Sequence, residues 1–130
     1  MMRLPWFEHR APRSIAEAAR ILSAEGPGAM LIAGGTDLLP NMKRRQMAPR
    51  LLVSLKKITD MKKNGDAIGA GTTLTEIVDN PGLPRGLRQA AHQVATVHLR
   101  NMGTIGGNLC LDTRCNYYNQ NYEWRKAIDF

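Results

Sequence analysis

The residues from Ala29 to Ala33 are apolar without interruption, and Leu51 to Leu55 repeats the pattern with a single serine. Runs of that length suit strands rather than helices, and continuous apolarity suits parallel strands covered on both faces. The period changes upstream. Ile15, Ala18, Ala19, Ile21 and Leu22 fall on one helical face. Ser14 followed by Glu17 reads as a capping box, and Gly26-Pro27 as a stop. Leu4 to His9 is expected to form a short strand, and Asp37 to Arg45 a short helix. Asn64-Gly65 predicts a hairpin between Met61-Lys62-Lys63 and the segment from Asp66 to Ala70. Thr73 or Thr75 can cap a short helix reaching Val78. After Pro81-Gly82 and Pro84, a helix is expected from Leu87 to Val97, with Leu87, Ala90, Ala91 and Val94 inward. The order β-α-β-α-β-ββ-α-α describes an α/β or α+β domain with a parallel component, and no internal repeat interrupts it.

Two glycine pairs punctuate this pattern. Ala33-Gly34-Gly35-Thr36-Asp37 follows the first apolar run, and Thr104-Ile105-Gly106-Gly107-Asn108 leads into Leu109-Cys110-Leu111. Glycine lets a ligand approach the backbone closely and reaches positive φ without strain. A pair followed by Thr or Asn offers convergent N–H donors plus a hydroxyl or amide, as phosphate and pyrophosphate sites require. A strand, a glycine turn and then a helix is also where open α/β sheets bind ligands. Neither segment matches the G-x-G-x-x-G or the G-K-[ST] fingerprint. The residues alone leave open that both pairs are tight turns serving only backbone geometry.

Composition narrows the picture modestly. At 130 residues the chain is long enough for one domain with a real core but not for two independent domains. Its net charge of +7 comes from dispersed residues such as Lys43, Arg44, Arg45, Lys56, Lys57, Lys62, Lys63, Arg85, Arg88 and Arg100. No basic stripe is interleaved with aromatics, so a solvated surface or an acidic partner subunit is expected rather than nucleic acid. No apolar run is long enough to span a membrane. The first residues reach Glu8 without a leader-like apolar core, so the expected compartment is the cytoplasm. There Cys110 and Cys115 are thiols or metal ligands rather than a disulfide. His9, His92 and His98 lack the spacing of a metal site or a nucleophilic relay.

The motifs together carry a resemblance. The string from Ile32 to Pro40 resembles the first flavin-contacting segment of the FAD domain of molybdenum hydroxylases, the xanthine dehydrogenase and carbon monoxide dehydrogenase type. Ile68-Gly69-Ala70-Gly71-Thr72-Thr73 resembles that family's next strand and turn, and the stretch from Val97 to Asn108 its second flavin segment. The resemblance implies the PCMH-like flavoprotein fold, with residues 1–109 as the N-terminal FAD-binding region. It implies that Leu31, Ile32, Ala33, Gly34, Gly35, Thr36, Asp37 and Leu38 wrap the FAD pyrophosphate, largely through N–H groups. Thr104, Ile105, Gly106, Gly107 and Asn108 would approach from the opposite side. The Thr36 and Thr104 hydroxyls would donate to phosphate oxygens, whereas Asp37 would favour the following helix and Lys43 would stay solvated. No catalytic residue is implied.

Past Asn108, the run from Leu109 to Gln120 and its aromatic-rich continuation resemble one branch, the flavin subunits of 4-hydroxybenzoyl-CoA reductases. That branch inserts a loop holding a [4Fe–4S] cluster, for which Cys115 would be the first ligand and the others would lie past Phe130. Residues 110–130 would then begin a second subdomain and this loop, with Tyr117, Tyr118 and Trp124 anchoring it and Cys110 a packed thiol on a strand. The implied function is electron transfer by FAD in a complex with a molybdenum-cofactor subunit and a [2Fe–2S] subunit. A flavin subunit of another molybdenum hydroxylase is the alternative. A nucleotide- or RNA-binding module, recognisable by steeply salt-dependent binding, is a reading of a different class.

Overall fold

The computed structural model describes residues 3–62, 67–112 and 122–129. Three strands form one parallel sheet: β1 (Glu8–Arg10), β2 (Ala29–Ile32) and β3 (Leu51–Ser54), in the order β1-β3-β2. Leu51 is in register with Glu8 on one side and Ala29 on the other. The central strand β3 is buried along its whole length. Its alternating side chains feed two cores, as a pleated strand must. Leu51 and Val53 meet Ala18, Ile21 and Leu22 of α1 (Ile15–Glu25), together with Ile58. Leu52 faces the other way, onto Leu38 and Met42 of α2 (Leu38–Lys43).

The helix boundaries follow local chemistry. The Ser14 hydroxyl accepts the Glu17 N–H at 3.1 Å, but the Glu17 carboxylate takes the Arg13 N–H at 2.9 Å, so only half of the expected capping box forms. Gly26 ends α1 at φ 59°. In α2, Pro40 sits in the first turn, where its missing N–H breaks no helical bond.

The regular elements that follow among the described residues are helices. α3 (Leu74–Asp79) carries a complete capping box, Thr73 with Glu76. α4 (Arg85–Gln93), α5 (Val97–Met102) and α6 (Ile105–Leu109) follow, and α7 (Tyr122–Ala127) lies near the end. Leu74, Ile77 and Ala91 form a third core, joined by Leu87, Val94 and Ile105.

Several expectations are corrected. β1 covers Glu8–Arg10 rather than Leu4 to His9, because Leu4 and Phe7 pack on the α2 core instead of joining the ladder. β2 is an edge strand and only half-buried, with Leu31 exposed. On α1, Ile15 and Ala19 are exposed, and on α4 so is Ala90. The expected hairpin tip lies partly outside the described residues. Its near flank is a 3₁₀ turn, Thr59–Lys62, and the chain returns through the Gly71 N–H donating to the Met61 carbonyl at 2.6 Å. The helix after Pro84 stops at Gln93, where Ala95 at φ 48° turns the chain into α5. Where Leu109-Cys110-Leu111 was expected to be a strand, α6 runs across the second glycine pair to Leu109.

Candidate functional site

The chain leaves β2 at its carboxyl end and turns through Gly34-Gly35 into α2. Gly35 has φ 72°, a conformation that a side chain adopts only under strain. Gly34 serves a different need. A Cβ there would collide with the Met102 carbonyl, so its absence lets the turn pack directly on the end of α5. Among the described residues, the N–H groups of Gly34, Gly35 and Thr36 donate no hydrogen bond. Three adjacent free donors on a turn suit a ligand with several acceptor oxygens.

The second glycine segment is built differently. An isolated antiparallel bridge joins Thr104 to Thr73. The Ile105 N–H donates to the Thr72 carbonyl and the Gly106 N–H to the Ala70 carbonyl, both at 2.9 Å. The Gly107 N–H donates to the Thr104 hydroxyl oxygen at 3.1 Å, and the Asn108 N–H to the Thr104 carbonyl at 2.9 Å. A second set of free N–H donors, expected from the sequence, is therefore absent. A Cβ on Gly106 would come within 2.7 Å of the Ala70 carbonyl oxygen, so this glycine also permits backbone contact. What this segment can still offer a ligand is side-chain chemistry: the Thr104 O–H and the Asn108 amide.

Both segments line one cleft of about 690 Å³, within the usual size of small-molecule sites. Leu31, Ile32, Ala33, Gly34, Gly35, Thr36, Asp37 and Leu38 all line it, as do Thr104, Gly106, Gly107 and Asn108. Ile105 does not, because its side chain packs toward Leu74, Ile77 and Ala91. Asp37 occupies the N-cap position of α2 without capping it, and its carboxylate accepts the Asn41 amide at 3.1 Å. Lys43 is exposed. Lys56 and Lys62 bring positive charge to the cleft wall. The Lys62 ammonium stands 3.5 Å from Glu76. The Thr73 N–H holds the Glu76 carboxyl below its ordinary value of 4.5, against partial desolvation and with help from the Thr73 hydroxyl and Lys62.

Sequence reasoning missed α5, which contributes Leu99, Asn101 and Met102 to the cleft. Arg100, grouped with the surface charges, is buried; its guanidinium donates to the Val94 and Ala95 carbonyls at 2.9 and 3.2 Å. It ties off the carbonyls freed where α4 ends. The signal available was Thr96 before the segment and Gly103 after it, a start and a stop around a very short helix. Cys110, expected as a packed thiol on a strand, is exposed at the end of α6 and lines the cleft. Cys115 lies outside the described residues, and among those described no group of His, Cys, Asp or Glu could hold a metal ion. No helix among them is long and apolar enough to cross a membrane.

Residues 6–119 match the family described as the FAD binding domain in molybdopterin dehydrogenase. The carbon monoxide dehydrogenase medium chain of Hydrogenophaga pseudoflava is 38% identical over 114 residues, covering 81% of this chain and 39% of that one. The nicotinate dehydrogenase FAD-subunit of Eubacterium barkeri is 38% identical over 113 residues, covering 79% and 38%. Among solved structures, the quinoline 2-oxidoreductase of Pseudomonas putida 86 superposes with a TM-score of 0.78 at 33% identity, over 83% of this chain and 40% of that one. The carbon monoxide dehydrogenase of Hydrogenophaga pseudoflava gives a TM-score of 0.77 at 36% identity, over 83% and 40%. The chain thus spans about two fifths of the length of the curated relatives it matches. With the family's motifs on one cleft and its fold reproduced at these identities, the chain belongs to the FAD-binding domain family of the molybdopterin dehydrogenases.

Proposed function

We propose that this chain forms the pyrophosphate-holding side of an FAD site in the flavin subunit of a molybdenum-dependent oxidoreductase. The observation that carries the reading is the row of free N–H groups at Gly34, Gly35 and Thr36, set in the cleft wall at the carboxyl end of a parallel strand. Bound FAD would supply the redox chemistry, and the protein would supply position and field. The segment from Leu31 to Leu38 cradles the phosphates through its backbone, with the Thr36 hydroxyl as a further donor. Thr104 and Asn108 reach the ligand through side chains, while Gly106 and Gly107 keep the opposite wall low. Lys56 and Lys62 offset the ligand's negative charge across the cleft.

The parent complex would pair this subunit with a molybdenum-cofactor subunit and a [2Fe–2S] subunit in the cytoplasm, with substrate chemistry on the partner. Residues 1–109 would be the FAD-binding region and residues 110–130 the start of a second subdomain. The relatives' names favour an oxidising hydroxylase or dehydrogenase of the carbon monoxide, nicotinate or quinoline type. The 4-hydroxybenzoyl-CoA reductase reading rests on Cys115 and its neighbours, and a [4Fe–4S] cluster would need further cysteines in a longer chain.

Titration with FAD, followed by flavin fluorescence quenching, tests the first reading. Saturable binding that survives moderate salt is expected. Failure to retain flavin, or binding of RNA instead, would remove it. Iron and acid-labile sulfide in the full flavin subunit separate the two branches: none is expected for the oxidising type, and four of each per chain would mark the reductase type.

A further inference from the structure

Asn101 lies on α5, one residue before the Met102 carbonyl on which Gly34 packs. It lines the cleft, whereas Thr75 on α3 does not. The Thr75 hydroxyl donates to the Asn101 Oδ1 at 2.7 Å. A carboxamide is planar, so fixing its oxygen fixes its NH2 on the other limb. Among the described residues the Asn101 Nδ2 makes no hydrogen bond. The amide of this exposed, cleft-lining residue therefore has its oxygen held by Thr75 and its NH2 without a partner among the described residues, on the residue next to the Met102 carbonyl that Gly34 packs against. Asn108 also offers an amide, but no side-chain bond from the described residues holds it. Pre-orientation is what makes a donor effective toward an anion, because the ordering cost is met before the ligand arrives.

We infer that Asn101 is a binding residue for the ligand's phosphate oxygens, and that Thr75 is the positioning residue that aims it. This rests on the flavin reading above and deepens it. The Thr75–Asn101 bond also ties α3 to α5, so the decisive variant must keep that tie. Asn101→Asp does so: its carboxylate still accepts the Thr75 hydroxyl, yet it has no NH2 and carries a like charge toward the phosphates.

The experiment is an FAD titration of the wild-type chain and of Asn101→Ala, Asn101→Asp and Thr75→Val, with the melting temperature of each ligand-free chain as control. Asn101→Ala is expected to weaken binding about tenfold, the effect of losing a hydrogen bond to a charged group. Asn101→Asp is expected to weaken it further, with the added loss shrinking as salt rises. Thr75→Val is expected to weaken it by less than Asn101→Ala and to have no effect once Asn101 is already alanine. A wild-type chain that binds FAD while Asn101→Asp binds equally well overturns this assignment and leaves the flavin reading standing. A wild-type chain that takes up no FAD overturns both.

Discussion

The two glycine segments look alike in sequence and use their backbones in opposite ways. At Gly34-Gly35 the chain has just left a sheet, and the N–H groups of Gly34, Gly35 and Thr36 have no hydrogen-bond partner among the described residues. At Gly106-Gly107 the same groups are absorbed, two by the Ala70 and Thr72 carbonyls and two by Thr104. One segment leaves its donors open; the other uses two to fasten α6 to the loop before α3 and two to cap α6 on Thr104. What they share is close contact: Gly34 against Met102 and Gly106 against Ala70. A glycine pair thus signals proximity, and the hydrogen-bond accounting decides whether the neighbour is a ligand or the protein itself.

The sharpest way to break the comparison is Gly34→Ala. The new Cβ would meet backbone at Met102, which cannot swing aside. Denaturant unfolding should show a loss of about 3 kcal/mol, the upper range for overpacking, and FAD binding should fall with it. A near-neutral result would mean that α5 is free to move. Gly106→Ala also presses on backbone, at 2.7 Å from the Ala70 oxygen, and should cost about 2 kcal/mol. Gly107→Ala should stay within about 1 kcal/mol of wild type, since its Cβ meets only the Thr104 hydroxyl at 3.1 Å and alanine favours the helix. If Gly107→Ala were the worse of the two, the assignment of close contact to Gly106 would be wrong.

The smallest effect concerns the pH dependence of the second segment's anchor. Glu76 completes the capping box with Thr73, the bridge partner of Thr104, and its folded carboxyl is held below 4.5 chiefly by the Thr73 N–H. A folded value below the unfolded one gives stability that is complete above the unfolded value and lost as pH falls through the folded value. The stability gap between wild type and Glu76→Gln should therefore narrow as the solution is acidified from neutrality to below about pH 4. It should be modest throughout, because the Glu76 side chain is about half exposed and screened by solvent. A gap that widened on acidification would contradict the assigned direction.

Much of the sheet half was legible. Ala29 to Ile32 and Leu51 to Ser54 announced themselves by unbroken apolar runs, and Ser14 and Gly26 bounded α1 by local chemistry. The helical half was less so. α5 and α6 are too short to show a helical period, and Gly106-Gly107 reads as a turn until Thr104 is seen to cap a helix through it. The site divides in the same way. The residues named from the two glycine motifs do line the cleft, apart from Ile105, which packs on Leu74, Ile77 and Ala91, all distant in sequence; the α5 contribution of Leu99, Asn101 and Met102 was not named. Which donors stay free, and the orientation of Asn101 by Thr75, depend on partners that no local pattern reveals.

The free donors at Gly34, Gly35 and Thr36 carry a consequence for solvent exchange. An amide hydrogen with no partner trades with water quickly, while those of Ile105, Gly106 and Asn108 are slowed by the bonds they already make. A pyrophosphate seated on the turn would slow the first three and barely change the others. The arrival of a ligand would then be recorded as deuterium retained at three neighbouring positions.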